Sequence, residues 1–411
     1  MKFILLVGDG MADHPHPALG DRTPLQAAST PNLDFLAAHG ILGTAHTLLP
    51  GFPLGSDVAN LSVLGYDPTR YYSGRAPLEA ANIGVELAPS DVAFRANLVT
   101  ILDGKMSDYS SGHITTEEAK PLIKLLGQKL GDKKVSFYLG TSYRHLVVWR
   151  SGPLDARCTP PHDISGREIA GSMPQGPRHK EIIRLMEDSK FLLEGHEVNR
   201  ERRREGKPPA NMIWLWGQGK KPSMPTFADR YRLGGAVISA VDLVKGIGIY
   251  AGLQVIQVPG ATGYLDTNYV GKAEAALKSL KKQDFVFVHV EAPDEAGHNG
   301  DVAGKVRAIE DFDRLVVGTI LQGLQGREDF RILVLPDHPT PLDMRTHADE
   351  PVPFILYQPG GRANGAAAYS EAEAKARGYH VEAGWRLMDY LILGRTPEDE
   401  AAGPGGPPAH P

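Results

Sequence analysis

A single cysteine, Cys158, stands in a chain of 411 residues, so a disulfide framework is excluded and a reducing compartment is the natural setting. Long apolar runs are missing too: no stretch approaches the roughly 20 residues that a membrane-spanning helix needs. The opening segment, Met1 to Val7, is apolar but short and runs at once into Gly8-Asp9-Gly10, without the small-residue cleavage site of a secretory leader. Positive charge is not in excess: 44 Lys and Arg against 49 Asp and Glu leave a net charge of −5, which gives no basic field for nucleic acid or an anionic membrane surface. The phosphate-cradling Gly-Lys-Ser/Thr loop, the dinucleotide glycine spacing, a kinase signature and a solenoid repeat are all absent. What these absences leave is a soluble, cytoplasmic protein, with neither nucleic acid nor membrane as partner and homo-oligomerisation left open. Hydrophobic content of 42% and charged content of 23% are those of a globular chain, and its length suits two or three domains.

The residues present follow a repeated grammar. Residues 3–7 are continuously apolar and end in Gly-Asp-Gly, as a strand buried on both faces would. Residues 284–290 run into Glu291-Ala292-Pro293-Asp294, and 331–335 into Pro336-Asp337-His338; 353–357 is a fourth strand of this kind. A helical pattern covers 303–325. Strands alternating with helices predict a parallel α/β sheet, whose ligands gather at the C-terminal ends of the strands. From about residue 73 to 234 the pattern changes to strands at 92–102, 135–139, 145–149 and 211–216 and helices at 116–130 and 178–190, the mark of a second α/β or α+β domain inserted in the first. The charged stretch 195–207 reads as a solvated helix end, and the Gly/Pro-rich tail as disordered.

Hard-cation ligands sit at the strand ends. Asp9 follows the first strand, Asp294 and His298 lie four apart on one helical face, Asp337 and His338 are adjacent, and His347 follows. Any one of these has an ordinary reading as a helix cap or a hydrogen-bonded residue. Together, six carboxylate and imidazole groups are too many for one catalytic ion with an open position and suit two, with mixed Asp/His donors favouring Mn²⁺ or Zn²⁺ over Mg²⁺. Ser56 lies in the loop Pro50-Gly51-Phe52-Pro53-Leu54-Gly55 at the start of a helix, where it is either an N-cap or a nucleophile beside a phosphate-favouring helix terminus. His113, Arg144, His145, His162, Asp163 and Lys245 are candidate substrate-binding groups for an anionic, phosphorylated acid.

These motifs carry a resemblance. Val7-Gly8-Asp9-Gly10-Met11-Ala12-Asp13, the run Pro53-Leu54-Gly55-Ser56-Asp57-Val58-Ala59-Asn60 continuing to Pro68, Glu291 to His298, Pro336-Asp337-His338, and His347 before Pro351-Val352-Pro353 are similar to those of the cofactor-independent phosphoglycerate mutases of archaeal type, within the alkaline phosphatase superfamily. The match covers nearly the whole chain apart from its tail. It implies an α/β fold: an alkaline-phosphatase-like, mostly parallel sheet sandwiched by helices (1–72 and 235–400), a smaller inserted substrate-binding domain (73–234) and a disordered tail (401–411). It implies an isomerase that interconverts 3- and 2-phosphoglycerate through a phosphoserine on Ser56. Asp9, Ser56, Asp337 and His338 would hold one divalent ion and Asp294, His298 and His347 the other, with Mn²⁺ first and Zn²⁺, Co²⁺ or Mg²⁺ as alternatives. His113 and Lys245 would contact the glycerate. The chain departs from the better-studied bacterial relatives near 214–221, where Gln218, Lys220 and Lys221 stand in place of an arginine-rich segment. A metal-dependent phosphomonoesterase or phosphodiesterase of the same superfamily, or a homoserine-kinase-like phosphotransferase, is the competing expectation.

Overall fold

In the computed structural model residues 1–394 are described; the tail expected over 401–411 lies outside them, as do 395–400. The chain forms two units, Met1–Tyr72 joined by the described residues from Met224 onward, and Ser73–Ser223.

The first unit is built on an eight-stranded sheet. Its order is His380–Val381, Ile41–Ala45, Val352–Tyr357, Phe330–Leu335, Lys2–Gly8, Phe285–Val290, Gly235–Ile238 and Gln254–Val255. Lys2–Gly8 is parallel to both of its neighbours, with Val7 opposite Leu335 on one side and His289 on the other. Val352–Tyr357 runs antiparallel, so its starting end shares the edge where the parallel strands finish. The apolar runs are continuous because both faces are covered. Ile4, Leu6, Val286, Val288, Ile332 and Val334 join a core with the helices Pro31–Ala38 and Tyr269–Leu280, while Leu5, Val7, Phe287 and Leu335 are equally buried on the opposite face. Each such side chain contributes about 1.5–3 kcal/mol of burial.

Two local features bear on the site. The helix expected over 303–325 is three pieces: Val302–Asp311, a π-helical turn at Phe312–Val317, and Gly318–Gly323. The wide turn holds buried Asp313, whose carboxylate accepts from Leu33 N (2.7 Å) and Asn32 Nδ2 (2.8 Å) and so satisfies the start of helix Pro31–Ala38. Residues 224–234, assigned to the insert on sequence grounds, group with the first unit. Phe227 packs its ring on Phe285 (centroids 4.5 Å apart), Tyr66 Oη donates to Pro225 O (2.9 Å), and Tyr231 Oη donates to Asp389 (2.8 Å).

The second unit is of α+β kind. Asp91–Leu102 is the central antiparallel strand, paired with Lys105–Asp108, Arg144–Arg150 and Met212–Gly219, and Val135–Thr141 flanks Arg144–Arg150. The helices Thr116–Lys129 and His179–Glu194 cover one face over a core that includes Phe94, Leu98, Val147 and Trp214. The charged stretch is a helix of its own, Glu197–Arg204, and it is not wholly solvated. Arg202 turns inward and donates to Glu118 (2.7 Å), Pro208 O (2.9 Å) and Ser111 O (2.5 Å), which compensates its burial. Among the described residues no helix is long and apolar enough to cross a membrane.

Candidate metal centre and serine

Three adjacent parallel strands end side by side, and each delivers polar groups at the same edge. Asp9 leaves Lys2–Gly8, Asp337 and His338 leave Phe330–Leu335, and the helix Ala292–Asn299 follows Phe285–Val290 with only Glu291 between them. Gly10 makes the turn that keeps Asp9 in place. Its φ is +64°, and a Cβ there would lie 2.7 Å from Asp294 Cα, so a side chain is excluded twice.

Asp294 and His298, one helical turn apart, meet with Oδ2 and Nε2 at 3.3 Å. His347 brings its Nε2 to 3.5 Å from Asp294 Oδ1 and 3.0 Å from His298 Nε2. Beside this trio, Asp9 Oδ1 lies 3.6 Å and Asp337 Oδ2 3.5 Å from His338 Nε2. All four of Asp9, Asp294, Asp337 and His338 are buried. Ser56 begins the helix Ser56–Val63 as its first residue, with Gly55 in the capping position and no side-chain cap bond. The N-cap reading of this serine therefore does not describe it. Instead its Oγ lies 3.1 Å from His338 Nε2.

The electrostatics are those of crowded anions and imidazoles. Burial, then the neighbouring Asp337 and Asp294, push the Asp9 carboxyl well above the usual carboxylate range. Burial opposes ionisation of Asp294 as well, but hydrogen bonds from His298 and His347 outweigh it and hold that carboxyl well below its ordinary value. Burial likewise opposes charge on His298, yet Asp294 prevails and raises the imidazole to about 9. Burial lowers His338 to about 4.

Whether these residues fit a divalent ion can be tested on their hydrogens. His298 Nδ1 faces Arg345 O (3.1 Å) and His347 Nδ1 faces Leu54 O (2.7 Å). A carbonyl only accepts, so both Nδ1 atoms carry the hydrogen, and the two Nε2 lone pairs of the neutral rings point at each other beside a carboxylate. Only a cation reconciles that contact: a proton, as the raised His298 value indicates, or a metal ion held by all three. Asp9 Oδ1, moreover, is buried without a hydrogen-bond partner. Buried carboxylates and imidazoles in this arrangement fit divalent ions.

Sequence reasoning missed several contributors. His289, fully buried in Phe285–Val290, places Nε2 3.0 Å from Asp9 Oδ2 and groups with Asp9 and Asp337 as a further set able to hold an ion. A lone imidazole inside an otherwise apolar strand was the available signal. Asn60 Nδ2 donates to Asp337 Oδ2 (2.6 Å) and to Ser56 O (3.0 Å). Thr340 Oγ1 donates to Asp294 Oδ1 (2.5 Å) and lies 3.3 Å from His338 Nδ1. Lys305 and Asp13 form a fully buried pair (2.6 Å), and Lys305 Nζ also donates to Thr340 O (2.8 Å), bracing that loop.

The substrate-binding candidates are placed unevenly. In the second unit His113, Tyr143, Tyr109, His162 and Trp216 form a chain of edge-to-face ring contacts 5.3–6.1 Å between centroids, with the Arg144 guanidinium over Tyr143 (5.7 Å). Asp163 lies 3.5 Å from His162. His145 faces the other way: it is buried, its Nδ1 accepts from Gly140 N (3.1 Å), and burial lowers its imidazole to about 3. Lys245 belongs to the first unit, in the helix Asp242–Tyr250 that packs on Ser56–Val63, where it pairs with Asp242 (2.9 Å).

Fold and site together define an α/β protein with a carboxylate–imidazole centre and a serine at the C-terminal edge of a mostly parallel sheet. Comparison with known proteins narrows this. The family model described as 2,3-bisphosphoglycerate-independent phosphoglycerate mutase matches residues 37–199. A 2,3-bisphosphoglycerate-independent phosphoglycerate mutase of Methanosarcina barkeri is 55% identical over 378 residues, covering 91% of this chain and 95% of the relative. One from Methanothrix thermoacetophila is 52% identical over 395 residues, covering 96% and 100%. The solved structure of a cofactor-independent phosphoglycerate mutase from Thermoplasma acidophilum is 31% identical with a TM-score of 0.65, over 95% of this chain and 99% of that one. A solved protein from Pyrococcus horikoshii superimposes with a TM-score of 0.81 at 32% identity, over 95% and 96%. The chain belongs to the 2,3-bisphosphoglycerate-independent phosphoglycerate mutase family.

Proposed function

We propose that this chain interconverts 3-phosphoglycerate and 2-phosphoglycerate through a phosphoserine at Ser56, without 2,3-bisphosphoglycerate. The observation that carries the reading is the position of Ser56 Oγ, 3.1 Å from His338 Nε2 at the rim of the buried ligand cluster. Two divalent ions, Mn²⁺ in our reading, would be held by Asp9, Asp337 and His338 and by Asp294, His298 and His347; bound there, they supply charge neutralisation of the phosphoryl oxygens and a lowered hydroxyl pKa.

The chain's own groups account for the rest. Ser56 Oγ loses its proton and bonds to phosphorus, and the phosphorus–oxygen bond to the substrate's 3-oxygen breaks, that oxygen leaving as a hydroxyl with a proton. The 2-hydroxyl of the same glycerate then bonds to phosphorus and gives up its proton, and the bond to Ser56 breaks, Ser56 Oγ leaving as a hydroxyl with a proton. Asn60 keeps the serine's helix in register with Asp337 throughout. In this reading the inserted unit is the substrate-binding one. His113, His162 and Arg144, strung along one aromatic chain, are the groups expected to hold the glycerate carboxylate, with Lys245 beside the serine's helix. His145 is better assigned to the unit's interior. Excluding water from the phosphoserine separates a mutase from a phosphatase.

Phosphorus NMR of the purified protein with 3-phosphoglycerate and Mn²⁺ tests this. Appearance of 2-phosphoglycerate with little inorganic phosphate supports the reading. Release of inorganic phosphate alone would reassign the same serine and ligands to a phosphatase.

A further inference from the structure

Outside the centre described above, a second set of donors occupies one face of the sheet's outermost strand pair. His380–Val381 lies parallel to Ile41–Ala45, with His380 opposite Thr44 and Val381 opposite Ala45. The pairing continues past the strand ends: His46 N donates to Val381 O (3.0 Å), and Gly384 N donates to His46 O (2.8 Å). Because side chains alternate along a strand, His380 and Glu382 share one face, and Thr44 and His46 share the same face of the neighbouring strand. The side chains meet accordingly. His380 Nε2 lies 3.1 Å from Glu382 Oε2, and the His46 and His380 rings meet edge-to-face with centroids 5.3 Å apart.

We propose that His46, His380 and Glu382 form a separate surface site for a divalent cation of the Zn²⁺ class, which pins the sheet's terminal strand to its neighbour. The donor set is two imidazoles and one carboxylate, with one ligand atom of each within 4.8 Å of the others. Tetrahedral Zn²⁺ with bonds of about 2.0–2.2 Å needs donor separations of roughly 3.4 Å, and small rotations of these half-buried and exposed side chains close the difference. Thr44 supplies what an isolated ion pair would not need. Its Oγ1 lies 2.9 Å from His380 Nδ1, which fixes the ring and leaves Nε2 directed at Glu382 and the ion. Mixed nitrogen and oxygen donors select a borderline ion such as Zn²⁺ over Mg²⁺ or Ca²⁺, and the remaining coordination falls to water. The strand that gains has little of its own: two residues long, at the edge of the sheet, it has few ladder bonds to resist fraying.

Equilibrium dialysis of the full chain against micromolar free Zn²⁺, with bound metal counted by atomic absorption, tests the site by difference. Whatever the centre around Asp294 retains, H46Q and H380Q are each expected to bind one equivalent fewer than the wild type, and E382Q to bind that equivalent at least tenfold more weakly. Glu382 is 82% exposed, so E382Q tests the site without disturbing the fold. Equal stoichiometry in the wild type, H46Q and H380Q, or an unchanged affinity in E382Q, would overturn the assignment. Because the reading is a difference between chains, it stands or falls independently of the phosphoserine mechanism.

Discussion

Asn60 ties the nucleophile's helix to the ligand shelf: its Nδ2 donates to Asp337 Oδ2 at 2.6 Å and to the Ser56 carbonyl at 3.0 Å. Its replacement by alanine leaves one oxygen of a fully buried carboxylate without this donor, at a cost of about 1–3 kcal/mol. Loss of an outer partner of a ligating carboxylate typically lowers metal affinity by roughly 10–100-fold. Chemical denaturation and metal titration of N60A are expected to show both effects. Unchanged metal affinity would mean that Asp337 holds its position without Asn60.

Gly10 offers a different kind of test. G10A forces a side chain into a left-handed turn and against Asp294 Cα, so a destabilisation of about 1–3 kcal/mol is expected, together with weakened metal binding as the helix carrying Asp294 is displaced. Thermal unfolding and metal titration read the two effects. A wild-type melting temperature would contradict the packing described at this turn.

The pH behaviour of Cys158 follows from its partial burial, which pushes the thiol up to about 12 despite a hydrogen-bond contribution from Gln218. The folded pKa lies above the unfolded value, so the fold disfavours the thiolate. The sign is then that stability is unaffected below about pH 8.5 and declines as pH rises above it, because the unfolded chain ionises first. Alkylation by iodoacetamide is expected to be slow at pH 8 and still rising at pH 10 without a plateau. A plateau near pH 8.5 would show a thiol open to solvent.

How much of this could be read in advance depended on where each residue sat in its pattern. Asp9, Asp294 and Asp337 were legible because apolar runs stop at them, and a strand buried on both faces has to end where polarity begins. His298 was legible by its spacing from Asp294. His289 was hidden by the same rule, as an imidazole inside an apolar run reads as one more core position. Asn60 and Thr340 act through hydrogen bonds to residues more than 40 positions away, which no local period encodes. The two-residue strand His380–Val381 is too short for alternation to show. The π turn around Asp313 keeps the helical period on either side, so the pattern gave one helix where the backbone makes three pieces. Arg202 sat within a run of charges, and only its partners in the fold reveal that it faces inward.

The central claim is that Ser56 carries the phosphoryl group between the two oxygens of glycerate. Acid-quenched protein that has turned over 3-phosphoglycerate with Mn²⁺, digested and analysed by mass spectrometry, tests it directly. The account expects one phosphoryl group on the peptide containing Ser56, and in S56A both that group and turnover lost while metal binding persists. Turnover in S56A at a rate near the wild type, or a phosphoryl group found on another residue, would contradict it.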